Sequence, residues 1–143
     1  MRLTSFTDLG MRALMRMASA PDRAFSTAEL ADEFQISRHH LTKIMQKLSR
    51  GGYVTTRRGS GGGATLARPA HEIRLGALVR MLESGQTLVE CMAPDGGNCT
   101  LVGRCGLKSR LLAAENAFYA ELDRSTLADI ALNWRIPQPQ PVS

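Results

Sequence analysis

At 143 residues the chain has the size of one domain with a single hydrophobic core and an appended element. Lys and Arg outnumber Asp and Glu by 18 to 13, giving a formal charge of +5 and a pI near 9.6, a balance that favours a polyanionic partner such as double-stranded DNA. No apolar run approaches the roughly 20 residues that span a bilayer, and the opening MRLTSFTDLG lacks the apolar core and cleavage site of a signal peptide, so a cytoplasmic protein without membrane contact is expected.

The first element is an amphipathic helix of about four turns: Thr4 is placed as its N-cap, and Phe6, Leu9, Ala13, Leu14 and Met17 recur at helical spacing. Asp8 falls in its opening turn, where free amides and the helix dipole favour a carboxylate. From Phe25 two helix starts follow, separated by a tight turn. Ser26 and Glu29 match a capping box, with Leu30, Ala31 and Phe34 as the apolar face. After the turn at Gln35-Ile36, Ser37 caps a second helix with Leu41, Ile44, Met45 and Leu48 inward and Gly51 placed to end it left-handed. Arg38, His39, His40, Lys43 and Lys47 are its outward positions. This is a helix-turn-helix whose second helix suits a major groove.

Tyr53 to Arg57 has the β-branched and aromatic character of a strand, Gly59-Ser60-Gly61-Gly62-Gly63 makes a turn, and Ala64 to Ala67 returns as its partner. A basic, glycine-rich hairpin directly after a helix-turn-helix is the order of a winged-helix DNA-binding domain, with Arg57, Arg58 and Ser60 on the wing. The glycines are not a nucleotide loop, because no Lys-Ser/Thr and no helix follow them. Leu75, Leu78, Val79 and Leu82 then place a helix over 73–83, expected to pack under the wing.

Next comes CMAPDGGNCTLVGRC, Cys91 to Cys105, which holds all three cysteines. Three thiols cannot all pair within one chain, and the turn Pro94-Asp95-Gly96-Gly97-Asn98 can fold them towards a common centre. That suits a metal or an iron–sulfur cluster, in which a fourth coordination position falls to a non-cysteine ligand. A thiol switch, or inert thiols, fits the same spacing. Beyond Cys105 runs the longest helical pattern in the chain, with Leu107, Leu111, Ala114, Phe118 and Leu122 on one stripe. A monomer would leave it uncovered, so a symmetric dimer contact is expected. Ser125, Leu127, Ile130 and Trp134 form a last short helix, and the Pro/Gln tail is expected to be disordered.

The fold expected is therefore mainly α with a small β-hairpin wing. A winged helix-turn-helix domain occupies 1–83, a cysteine loop 84–106, a dimerisation helix and C-terminal helix 107–136, and a tail 137–143. An enzyme is not expected: no Ser/His/Asp set, no HExxH and no phosphate loop is present.

The stretches RLTSFTDLGMRALMRMAS, QISRHHLTKIMQKLSRGGYV and RGSGGG, with C-x7-C-x5-C, resemble the winged-helix iron–sulfur repressors, the family that includes the NsrR and IscR types, over roughly residues 1–130. Within it LTSFTD and LADI look most like the nitric-oxide-sensing NsrR type. The resemblance implies a homodimer that represses from operator DNA with its cluster intact and releases it when nitric oxide destroys the cluster. It further implies Cys91, Cys99 and Cys105 as cluster ligands, completed by Asp8 from the partner subunit, and Arg58-Gly59 as the wing's DNA-contacting pair. IscR-like members carry a histidine three residues past the last cysteine. Here Lys108 stands there, which favours a 4Fe-4S over a 2Fe-2S cluster. Ser37, Arg38, His39, His40 and Lys43 are the expected contacts of the recognition helix. Two alternatives stay open: a regulator of the same fold that senses iron or cluster supply, or thiol redox state, and an electron or thiol redox carrier. The second has no CxxC pair and no use for a winged helix.

Overall fold

A computed structural model of the protein describes residues 2–132, so the expected placing of Trp134 and the tail 137–143 lie outside the described residues. The chain opens with α1, Ser5–Ala18, capped by the Thr4 hydroxyl, which accepts from the Thr7 N–H at 3.2 Å. Helices α2, Thr27–Phe34, and α3, Arg38–Arg50, begin in the same manner, with Ser26 accepting from Glu29 N–H at 3.0 Å and Ser37 from His40 N–H at 3.1 Å. Only this half of the expected capping box at Ser26 is used, since the Glu29 carboxylate pairs with Arg23. Gln35 takes the left-handed conformation at φ 55° and sharply closes the turn between α2 and α3. At the end of α3 the left-handed residue is Gly52 at φ 79°, one place later than expected. Gly51 remains right-handed at φ −74°.

The wing is an antiparallel pair, β1 (Val54–Arg57) and β2 (Gly63–Leu66), in the register Val54↔Leu66 to Arg57↔Gly63. It is tied to the helices by Phe25, whose N–H donates to Ala64 O at 2.9 Å and whose carbonyl accepts from Ala64 N–H at 2.7 Å. A Cβ on Gly63 would lie 2.7 Å from the Phe25 carbonyl oxygen, so glycine is what permits this junction.

The helix expected over 73–83 is shorter, α4 spanning Leu75–Leu82 behind a 3₁₀ turn at Ala70–Glu72. Ile73 and Arg74 are extended because a later segment pairs with them: Arg74 bridges Thr126, Ile73 O accepts from Leu127 N–H at 2.9 Å, and Leu75 N–H donates to Ser125 O at 3.1 Å. It packs against α1 and the long helix α5, Leu107–Leu122, and not beneath the wing as expected. After α5 a 3₁₀ turn, Leu127–Ile130, returns to the body of the fold and buries Leu127 completely. The core is a single cluster that includes Leu14, Phe25, Leu30, Leu41, Ile44, Leu48, Ile73, Leu78 and Leu127. Among the described residues it receives nothing from 84–106.

Glu83, just beyond α4, accepts from the Thr4 N–H at 2.8 Å and from the Thr4 hydroxyl at 2.9 Å, joining the end of α4 to the start of α1. Partial desolvation alone would raise its pKa. Hydrogen bonding by Thr7 and Thr4, with the charge of Lys47, outweighs that and holds it below the ordinary value of 4.5. A carboxylate lowered on folding adds stability above its unfolded pKa and loses it as pH falls through the folded value. Thermal melts of wild type and Glu83→Gln between about pH 6 and pH 3 should therefore differ at the upper end and converge at the lower. Parallel curves would remove Glu83 from the acid limb.

Candidate nucleic-acid interface and metal centre

Four residues of α3, Leu41, Ile44, Met45 and Leu48, are buried, which fixes the direction the helix presents outward. Ser37, Arg38, His39 and Lys43 are exposed on its N-terminal half, as the helical spacing requires. His40 instead is half-buried and turns towards α1, its ring 6.3 Å from that of Phe6. Lys47, expected outward, reaches the other way and donates to the carbonyl of Leu82 at the end of α4 and to that of Ser84 just beyond it. Sequence reading passed over Thr42, Gln46, Ser49 and Arg50, which line a groove between α3 and the wing together with Thr27 and Thr56. The pattern to find them was available, because Gln46 and Arg50 stand three and seven residues past Lys43 and so share its face. On the wing Arg57, Arg58 and Ser60 are all exposed. The interface is thus a cationic helix beside a cationic hairpin, with polar side chains between them. That arrangement has the charge and the shape that suit a polyanion such as a duplex.

The three cysteines are free, Cys91 and Cys99 half-buried and Cys105 exposed. All three line one cavity of about 210 Å³, closed by Gly96, Val102, Gly103 and Lys108. Cys91 comes from a 3₁₀ turn at Glu90–Met92, Cys99 from the loop after the Asp95 turn, and Cys105 from just before α5. Lys108 Nζ donates to the Cys91 carbonyl at 3.2 Å, so the first turn of α5 grips the start of the loop. Among the described residues no three His, Cys, Asp or Glu side chains converge tightly enough to hold one metal ion in common. Three thiols spread around a cavity of this size suit an iron–sulfur cluster, whose ligands occupy separate corners, better than a single zinc ion.

Asp8 does not reach this cavity within the chain. It sits half-exposed on α1, held at two points by Arg12, Nη2 to Oδ2 at 2.8 Å and Nε to Oδ1 at 3.2 Å. The stripe on α5 divides along its length. Leu107 and Ala114 are exposed, Leu111 and Phe118 half-buried, and Leu122 packs onto the core. Leu101, Val102 and Leu112, which the stripe did not include, are further exposed apolar side chains. His71 lies on the surface near Glu72, away from the cysteines. No helix among the described residues is long and apolar enough to cross a membrane.

A helix-turn-helix with a basic wing, carried on one core with a long C-terminal helix, defines a winged-helix transcriptional regulator. The chain belongs to the Rrf2 family, described as iron-dependent transcriptional regulators, which matches residues 3–133. It is a DNA-binding regulator and not an enzyme. Among solved structures it is similar to CymR (YrzC), the global cysteine regulator of B. subtilis, with 23% identity and a TM-score of 0.70 over 92% of this chain and 96% of that one. IscR of T. potens matches with 22% identity and a TM-score of 0.70 over 96% and 93%. CymR of Staphylococcus aureus matches with 24% identity and a TM-score of 0.67 over 90% and 96%. At these identities the likeness establishes the fold.

Proposed function

We propose that the protein is a dimeric repressor that senses nitric oxide through a 4Fe-4S cluster held by Cys91, Cys99 and Cys105, and that it leaves its operator when the cluster is lost. The observation that carries this reading is the gathering of three free thiols around one cavity at the head of an exposed helix. Three thiolates leave one iron for another ligand, and the partner subunit's Asp8 takes that place. When bound, the cluster supplies an iron with a hard, weakly held carboxylate beside it, the position most open to a small diatomic. Within its own chain Asp8 has Arg12 as the alternative partner. An exposed pair of that spacing contributes only about 0.3–0.5 kcal/mol, so Asp8 can leave Arg12 for a metal and return when the metal is gone.

Leu107, Leu111, Ala114 and Phe118 of the stripe form the contact between copies, while Leu122 is taken up by the core of its own chain. Ser37, Arg38, His39 and Lys43 approach the bases, while Arg57, Arg58 and Ser60 hold the phosphates and His40 stays against α1. Two copies of α3 must match half-sites a helical turn or a multiple of it apart. A mismatch costing about 1.4 kcal/mol lowers affinity about tenfold.

Protein purified without oxygen should carry about four irons per chain and bleach as nitric oxide is added. Release of a duplex, selected by the wild-type protein from random sequence, should proceed in step with the bleaching. Asp8→Ala should melt like wild type but lose its cluster faster, and an unchanged lifetime would remove Asp8 from the ligand set. Colourless wild-type protein that still holds the duplex would overturn the cluster. The second reading would then apply: a thiol switch, supported by the exposure of Cys105 and answering to peroxide.

A further inference from the structure

We infer that Lys47 is a positioning residue that couples the recognition helix to the cysteine loop, and is not one of its DNA contacts. Its Nζ donates to Leu82 O at 2.9 Å and to Ser84 O at 3.3 Å, and stands 5.4 Å from the centre of the Phe6 ring. Leu82 is the last residue of α4, and Ser84 lies where the chain leaves for Cys91. Phe6 lies two residues before Asp8 on α1. Between Leu82 and Ser84, Glu83 is bonded to Thr4 just ahead of α1. One flexible cation on α3 therefore touches the stretch that leads to this chain's own cysteines and the stretch that carries Asp8, the residue offered to the partner's cluster in the function proposed above, on which this inference rests. Free carbonyls at a helix end attract a cation, and α4 has no other lysine or arginine donating to Leu82 O or Ser84 O among the described residues. A displacement of residues 82–84 relative to α1 thus acts on α3 through a short, polar strut.

The test compares wild type, Lys47→Met and Lys47→Arg, each prepared with the cluster intact and after its removal by chelator. Affinity for the duplex selected by the wild-type protein is measured across a salt series, with a melting curve for each protein. Wild type should show a ratio of affinities between the two states in the range of about 5 to 150 that is usual for coupled sites. Lys47→Met should lower that ratio about fivefold or more, with an unchanged salt slope, and Lys47→Arg should restore it, since a guanidinium can also donate to two carbonyls. Equal weakening of both states, with a salt slope reduced by about 1, would make Lys47 a phosphate contact and overturn the inference. An undiminished ratio in folded Lys47→Met would overturn it as well. Should Lys47→Met not fold, Lys47→Gln is read in the same way. A wild-type ratio of one would instead overturn the sensor reading itself.

Discussion

Cys99→Ser should purify without colour, with iron falling from about four to well under one per chain, while its melting temperature and helix content stay close to those of wild type. The two halves of this expectation come from different parts of the structure. Cys99 is one of three thiols on the cavity, and a serine hydroxyl, which stays protonated near neutral pH, is a poor replacement for a thiolate. The loop from 84 to 106, by contrast, gives no side chain to the core among the described residues, so its chemistry can change without unfolding the DNA-binding body. Surface substitutions of this kind usually stay within about 0.5 kcal/mol. Iron analysis and circular dichroism on one sample decide the matter. Retained iron with a retained nitric oxide response would remove Cys99 from the ligand set, and loss of the fold would show that the loop is structural.

Gly76→Ala is expected to have the largest effect on stability of any single methyl added to the chain's described glycine positions in helices. A Cβ at Gly76 would lie 2.1 Å from the Tyr119 carbonyl oxygen and 2.5 Å from Asp123 Oδ1. The first is backbone of α5 and cannot rotate away. The second is the carboxylate that accepts the Ala77 N–H at 2.9 Å and so satisfies the otherwise uncapped start of α4. Overpacking costs about 1–3 kcal/mol and a lost cap about 1 kcal/mol, which together should lower the melting temperature by roughly 10 °C. Gly106→Ala is the control, since nothing lies within 4 Å of its Cβ and its φ is −77°. It should leave the melt unmoved. If both variants melt together, the tight crossing of α4 and α5 is not what holds the C-terminal part in place.

What was legible in the chain follows from how local the physics is. The caps at Thr4, Ser26 and Ser37 are each a side chain bonding an amide three residues on, and all three were read correctly. The wing was legible for the same reason, because β-branched residues flank a glycine turn. The shortened start of α4 was not, since Ile73 and Arg74 are drawn into extended backbone by Thr126 and Leu127, about fifty residues away in sequence and invisible to periodicity. The carboxylate that caps α4 comes from Asp123, at the end of another helix, and no pattern within α4 reveals it. At the cysteines, spacing alone brought out the three thiols that share the cavity. Lys108 drew notice only as a departure from a family pattern, and its bond to the Cys91 carbonyl depends on how α5 is oriented.

The seating of α5 has a mechanical meaning. At its C-terminal end Tyr119 is buried, Asp123 is bonded to α4, and the following residues pair with Ile73 and Leu75. At its N-terminal end Leu107 is 59% exposed. The helix is a cantilever with its root in the core. Its sixteen residues give it a length of about 24 Å, so a rotation of about 5° at the root swings the tip by about 2 Å. Cys105 stands at that tip, and the cysteine loop stretches from it back to α4 like a stay from a mast to the deck, so shortening or slackening the stay sets the angle of the whole beam.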